Sequence, residues 1–148
     1  MNKISLIEAL KKVLSKQLEE LKMSIDNVNE SIVGEEKSTA GDKYETARAM
    51  GHNELDRLNQ AYSVLMKNAN VINKLNVNEK HSRVQLGSLV QTDKRVLFFS
   101  AGMGKIKLDE DEVLTMSMGS PIGQLFMSKK VGDTIEFRGT QEIILEIW

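Results

Sequence analysis

The sequence predicts an α+β protein in two parts: an N-terminal antiparallel coiled-coil helical hairpin over residues 1–76, then a small, mostly antiparallel sheet domain with one short helix over residues 77–148. Two observations predict it. Apolar residues recur at alternating steps of three and four through the first half, whereas the second half breaks into short runs rich in β-branched and aromatic residues, separated by turn residues.

The first helix is read from Ile4, Ile7, Leu14, Leu18, Leu21, Ile25, Val28 and Ile32, a heptad seam in which only Lys11 is polar. A second seam runs through Tyr44, Gly51, Leu55, Leu58, Tyr62, Leu65, Ala69 and Ile72, with Arg48 at its one polar position. Most remaining positions are Lys, Glu, Asp, Asn or Gln, so each helix has one narrow apolar stripe and fits a two-helix hairpin better than a larger bundle. The segment VGEEKSTAGDK between the seams contains Gly34 and Gly41 and reads as the tip. Folding the chain about residue 39 sets Ile32 beside Thr46 or Ala47. Small residues at Ala47, Ala49 and Gly51 let the backbones approach. At ~1.5 Å per residue an arm of this length reaches roughly 43 Å, which predicts that part of it protrudes.

After Lys74 the polar NVNEKHS reads as a linker, and RVQLGSLVQ, RVLFFS, GKIKLD, VLTMS, TIEFRG and QEIILEIW read as strands. Ser120 and Pro121 form an N-cap and first helical position for a short helix that stops before Gly132.

Composition removes several functions. With 20 basic and 21 acidic residues the net charge is -1, and the halves are equally balanced, 11 basic with 11 acidic over 1–78 and 9 with 10 over 79–148. Neither half has the basic excess of a nonspecific nucleic-acid binder. The absence of cysteine rules out disulfides, thiolate metal sites and a cysteine nucleophile. The N-terminus is interrupted by Glu8, Lys11 and Lys12 and lacks a signal-peptide core, and no apolar run approaches the roughly 20 residues of a membrane span. A cytoplasmic, monomeric protein is expected.

Individual motifs are weak. Gly102–Lys105, GMGK, lacks the full phosphate-binding pattern and reads as a hairpin turn; the acidic run 109–112 reads as a solvated turn; His52 and His81 read as surface histidines. The tip carries more. Asp42 and Glu45 have capping-box spacing at the start of the second helix, where negative charge also suits the helix dipole. The same spacing projects two carboxylates to one side, enough to hold a magnesium ion weakly if a partner completes its shell. From the residues alone, cap and metal ligand both stand.

The motifs together resemble the bacterial Gre-type transcript cleavage factors. The tip Gly41-Asp42-Lys43-Tyr44-Glu45-Thr46-Ala47 resembles the family's G-D-x-x-E-x-A, and Ser120-Pro121-Ile122-Gly123 with Lys129-Lys130-Val131-Gly132-Asp133 resembles its sheet-domain motifs. The resemblance implies an FKBP-like C-terminal domain that docks at the rim of the RNA polymerase secondary channel through Ser120, Pro121, Ile122 and Gly123. It implies a hairpin inserted through that channel, with Asp42 and Glu45 helping to hold the second catalytic magnesium. No cofactor is bound by the factor alone, and the polymerase itself cleaves the backtracked RNA, so the factor is not an enzyme. Lys43, Thr46 and Arg48 stand where the family pattern has leucine, asparagine and an acid. Lys37, Lys43, Arg48 and Arg57 are candidates to face the extruded RNA, against the plainer role of solubilising charge. The competing readings are a channel-binding regulator without cleavage, an FKBP-like peptidyl-prolyl isomerase or chaperone, and a dimeric coiled-coil adaptor.

Overall fold

A computed structural model describes the backbone at residues 1–36 and 41–148 and the side chains at 1–34 and 45–148. Helix α1 spans Lys3–Glu36 and α2 spans Gly41–Asn73. They are followed by strands β1 (Leu89–Thr92), β2 (Val96–Ser100), β3 (Gly104–Leu108) and β4 (Asp111–Ser117), helix α3 (Pro121–Phe126), and strands β5 (Thr134–Phe137) and β6 (Thr140–Ile147). The chain divides into two compact units, one formed by Val13–Lys67 and one by Met1–Lys12 with Asn68–Trp148.

Within the helical unit, burial follows the expected stripe. Leu14 and Ile32 are buried and Leu18, Leu21, Ile25 and Val28 half-buried, while their neighbours at 15–17, 19–20, 22–24, 26–27 and 29–31 are exposed. On α2 the same holds for Leu55, Leu58, Tyr62 and Leu65. The register differs from the expected one. Ile32 lies against Gly51, where a Cβ would come within 2.7 Å of its Cγ1, and not beside Thr46 or Ala47 four or five residues earlier. Equal seam lengths do not fix the stagger of two helices; the bulkiest side chain near the end settles opposite the position with no side chain. Helix α1 also continues through Val33 and Gly34, which the broken pattern had assigned to the tip.

The second unit is built on a sheet of order β3-β4-β2-β1-β6-β5. The ladders β1/β2, β1/β6, β3/β4 and β5/β6 are antiparallel. Strands β2 and β4 pair in parallel, Val96 with Val113 through Ser100 with Ser117, so the sheet is mixed. Gly102–Lys105 is therefore not a hairpin turn: β2 and β3 lie on opposite sides of β4. The Thr115 hydroxyl clips this crossing, accepting from the Met103 N–H at 2.8 Å and donating to the Gly104 carbonyl at 2.8 Å. The true hairpin joins β3 to β4 through Asp109 and Glu110, the acidic turn expected there. One core gathers Val84, Val90, Leu97, Phe99, Met116, Phe126, Ile135 and Ile144, with Phe99 and Phe126 rings 5.3 Å apart. Leu89 and Phe98, cross-strand partners pointing to the other face, are fully buried too, as are Leu6, Ile7, Leu10 and Ile72 of the same unit.

Strand β1 starts six residues later than its apolar run because Val84 is already engaged, exchanging backbone hydrogen bonds with Ser128 and Lys129. That exchange also ends α3 at Phe126, earlier than expected. At its start α3 follows the capping rules: Ser120 accepts from the Gly123 N–H at 3.0 Å and donates to the Ser117 carbonyl at 2.7 Å, with Pro121 next. Gly123 is buried beneath this turn, and a Cβ there would lie 2.2 Å from the Ser117 carbonyl oxygen and 2.8 Å from that of Met118. Backbone atoms cannot step aside as a side-chain end can. Gly123→Ala is expected to lower unfolding stability in urea by about 3 kcal/mol or more, at the upper end for overpacking; a change under about 0.5 kcal/mol, the size typical of neutral surface substitutions, would contradict this packing.

Candidate functional site

At the hairpin end, α2 begins at Gly41, which puts Asp42 and Glu45 in its first turn. Glu45 is exposed. The Asp42 and Lys43 side chains, and Lys37 altogether, lie outside the described residues, so the capping hydrogen bonds and two of the four basic candidates are not described. Arg48 is exposed and has a polar partner. Arg57 is engaged along its own helix: its guanidinium donates to both Glu54 oxygens, at 2.9 and 2.5 Å, which holds the Glu54 carboxyl below the usual carboxylate range. Such an i,i+3 pair supports the helix locally. Among the described residues no group of three or more His, Asp or Glu side chains could hold a metal.

The sheet unit presents two concavities, of about 380 and 480 Å³, on either side of a ridge made by Ile122, Phe137 and Arg138. The Arg138 guanidinium sits 5.0 Å from the Phe137 ring centre, in cation–π range. Ser120, Pro121 and Ile122 line the second concavity. The structure thus gives Ser120 and Gly123 local duties, a cap and a close approach, packs the half-buried Ile122 against the core, and leaves Pro121 exposed. Phe98, Phe99 and Phe126 are fully buried, and only Phe137 of the four phenylalanines lines these hollows. Beneath the first concavity Glu142 is buried and bidentate to Arg95, with Thr92 donating to it at 2.9 Å. The sequence gives no sign of this group because Glu142 lies 47 residues from Arg95 and 50 from Thr92.

His81 is not a surface histidine. Its ring is buried, with Nδ1 2.6 Å from the Ser88 hydroxyl and Nε2 3.7 Å from a Glu79 oxygen, too far for a hydrogen bond. Lys3, also buried, donates to the Glu79 carbonyl at 2.8 Å. The segment read as a polar linker is therefore anchored at both Glu79 and His81. Desolvation lowers the His81 pKa first, the Lys3 charge adds to this, and Glu79 partly offsets both. Burial likewise lowers that of Lys3. Ser88 is fully buried and cannot meet a substrate, so the Ser-His-Glu proximity is structural.

No known family profile matches the chain, and no curated protein matches it in sequence. Among solved structures it is similar to GreA factor homolog 1 (Gfh1) of Thermus thermophilus, with 16% identity over 93% of this chain and 94% of that one and a TM-score of 0.38. A second structure, of the transcription factor Gfh1, gives 16% identity over 94% and 93% at the same TM-score, and Gfh1 of Thermus aquaticus gives 15% over 95% and 94% with a TM-score of 0.34. Among the described residues no helix is long and apolar enough to cross a membrane.

Since the folded-state pKa of His81 lies below its unfolded value of 6.5, the unfolded chain takes up the proton first as pH falls. Stability held above pH 6.5 is then lost below it. The thermal midpoint should drop more steeply in the wild type than in His81→Asn between pH 7.5 and 5.5, and parallel profiles would refute the assignment.

Proposed function

We propose that this chain is a Gre-like transcription elongation factor. Its hairpin enters the secondary channel of RNA polymerase, and Asp42 and Glu45 stimulate cleavage of backtracked RNA by the polymerase. The observation that carries this reading is the placement of G-D-x-x-E in the first turn of α2, directly after a 34-residue helix with a matching seam. Two carboxylates in one helical turn make a weak magnesium site alone, which suits a factor whose metal is completed by the polymerase. The chemistry is two-metal phosphodiester hydrolysis, with this chain lending ligands to one metal. Pro121, which is exposed, and the half-buried Ile122, which lines the same concavity as Phe137, are the docking residues at the channel rim.

A second reading, a channel-binding regulator without cleavage, is favoured by Lys43 and Arg48, which bring positive charge to the same turns as the two acids. One experiment separates the two. Asn caps a helix about as well as Asp, so Asp42→Asn spares the fold and removes a ligand charge. In stalled polymerase complexes, Asp42→Asn and Glu45→Gln should each reduce factor-dependent RNA cleavage by about tenfold or more while leaving polymerase binding in place. Cleavage unchanged by both substitutions would overturn the metal-tip reading. Wild-type protein that competes with a channel binder yet gives no cleavage would establish the regulator.

A further inference from the structure

Near the hairpin end Ile32 lies against Gly51. Ile32 is 7% exposed. A Cβ at position 51 would stand 2.7 Å from its Cγ1 and 3.2 Å from its Cδ1, inside the distance at which carbon atoms repel. Cγ1 is not the free end of the side chain. It is fixed by χ1, and a β-branched residue in a helix has essentially one χ1 rotamer. A side chain at 51 therefore cannot be accommodated by turning Ile32 away; the helices must separate. Glycine here also carries a cost in helix propensity, which a purely local role would not demand.

We infer that Gly51 is a positioning residue: by letting α2 close onto Ile32 it sets the helix spacing at the hairpin end and so the placement of Glu45. This inference rests on the function proposed above. Helix α2 is continuous from Gly41, and Glu45 lies six residues from Gly51, roughly 9 Å along the axis. A displacement at 51 is carried to 45 by the rigid helix. Misplacement of a catalytic group by about 1 Å costs roughly tenfold to a hundredfold in rate, whereas a docking surface elsewhere on the chain would not register it.

The chain has no cysteine, so Val33→Cys and Met50→Cys, both at exposed positions, give a clean spin-label pair across the hairpin. Adding Gly51→Ala should lengthen the label distance by about 1 Å, the amount that restores ordinary contact. Removing Cγ1 and Cδ1 with Ile32→Ala in the same chain should reverse it. In stalled polymerase complexes Gly51→Ala should lower cleavage at saturating factor by about tenfold, with the half-saturating concentration changed by less than about twofold, and Gly51→Ala/Ile32→Ala should recover most of the rate. Circular dichroism confirms that each variant keeps its helices. An unchanged label distance overturns the spacing, and a loss confined to half-saturation, or no recovery in the paired variant, overturns the positioning role. If the unaltered protein gives no cleavage, the proposed function fails and takes the functional half of this inference with it, while the label distances still decide the spacing.

Discussion

Each long helix carries a single apolar stripe, and within the helical unit that stripe has nowhere to be buried except against its neighbour. Residues Leu14 to Ile32 on one helix and Leu55 to Leu65 on the other lose exposure together, while nearly every other position stays wet. A two-helix pair of this kind has little apolar area to spare, so the quality of contact along the seam decides its spacing. At the Ile32–Gly51 contact a single added carbon would stand 2.7 Å from Ile32 Cγ1. The first turn of α2, with Asp42 and Glu45, is held in place through it.

The sheet unit solves a different problem, that of crossing strands without exposing backbone. Threonine hydroxyls do much of this: Thr115 clips the crossing from β2 to β3, and Thr92 joins the Arg95–Glu142 pair and accepts from the Lys94 and Arg95 N–H groups. Ser120 does the same at α3. The motif Ser120-Pro121-Ile122-Gly123 is thus partly architecture. Ser120 and Gly123 shape the turn, Ile122 packs half-buried against the core, and Pro121 faces solvent. Gly123 is buried under backbone carbonyls and shapes the turn from within.

Much of this was legible in advance, for identifiable reasons. A narrow stripe of period 3.5 leaves helix pairing as its simplest use, and the strand runs from Arg95 onward match the observed strands closely because turn residues bound them. The acidic start of α2 was readable as a spacing. What escaped was anything that depends on long-range order. Short alternating strands do not encode their neighbours, so the parallel β2/β4 pair was invisible and GMGK passed for a hairpin. His81 sat in a polar segment whose burial is decided by Lys3 and Ser88, 78 positions before it and 7 after it in the chain. The helix stagger was missed because periodicity is unchanged when one seam slides past another by a turn.

On the proposed function, the first turn of α2 reaches the catalytic metal of RNA polymerase. Replacing the polymerase's active-centre magnesium with ferrous iron generates hydroxyl radicals that cut polypeptide within a short radius of the metal. With this protein bound, the account predicts cuts confined to the segment around residues 41–47. Cuts in the sheet unit alone, or a chain left intact under conditions where it is bound, would contradict it.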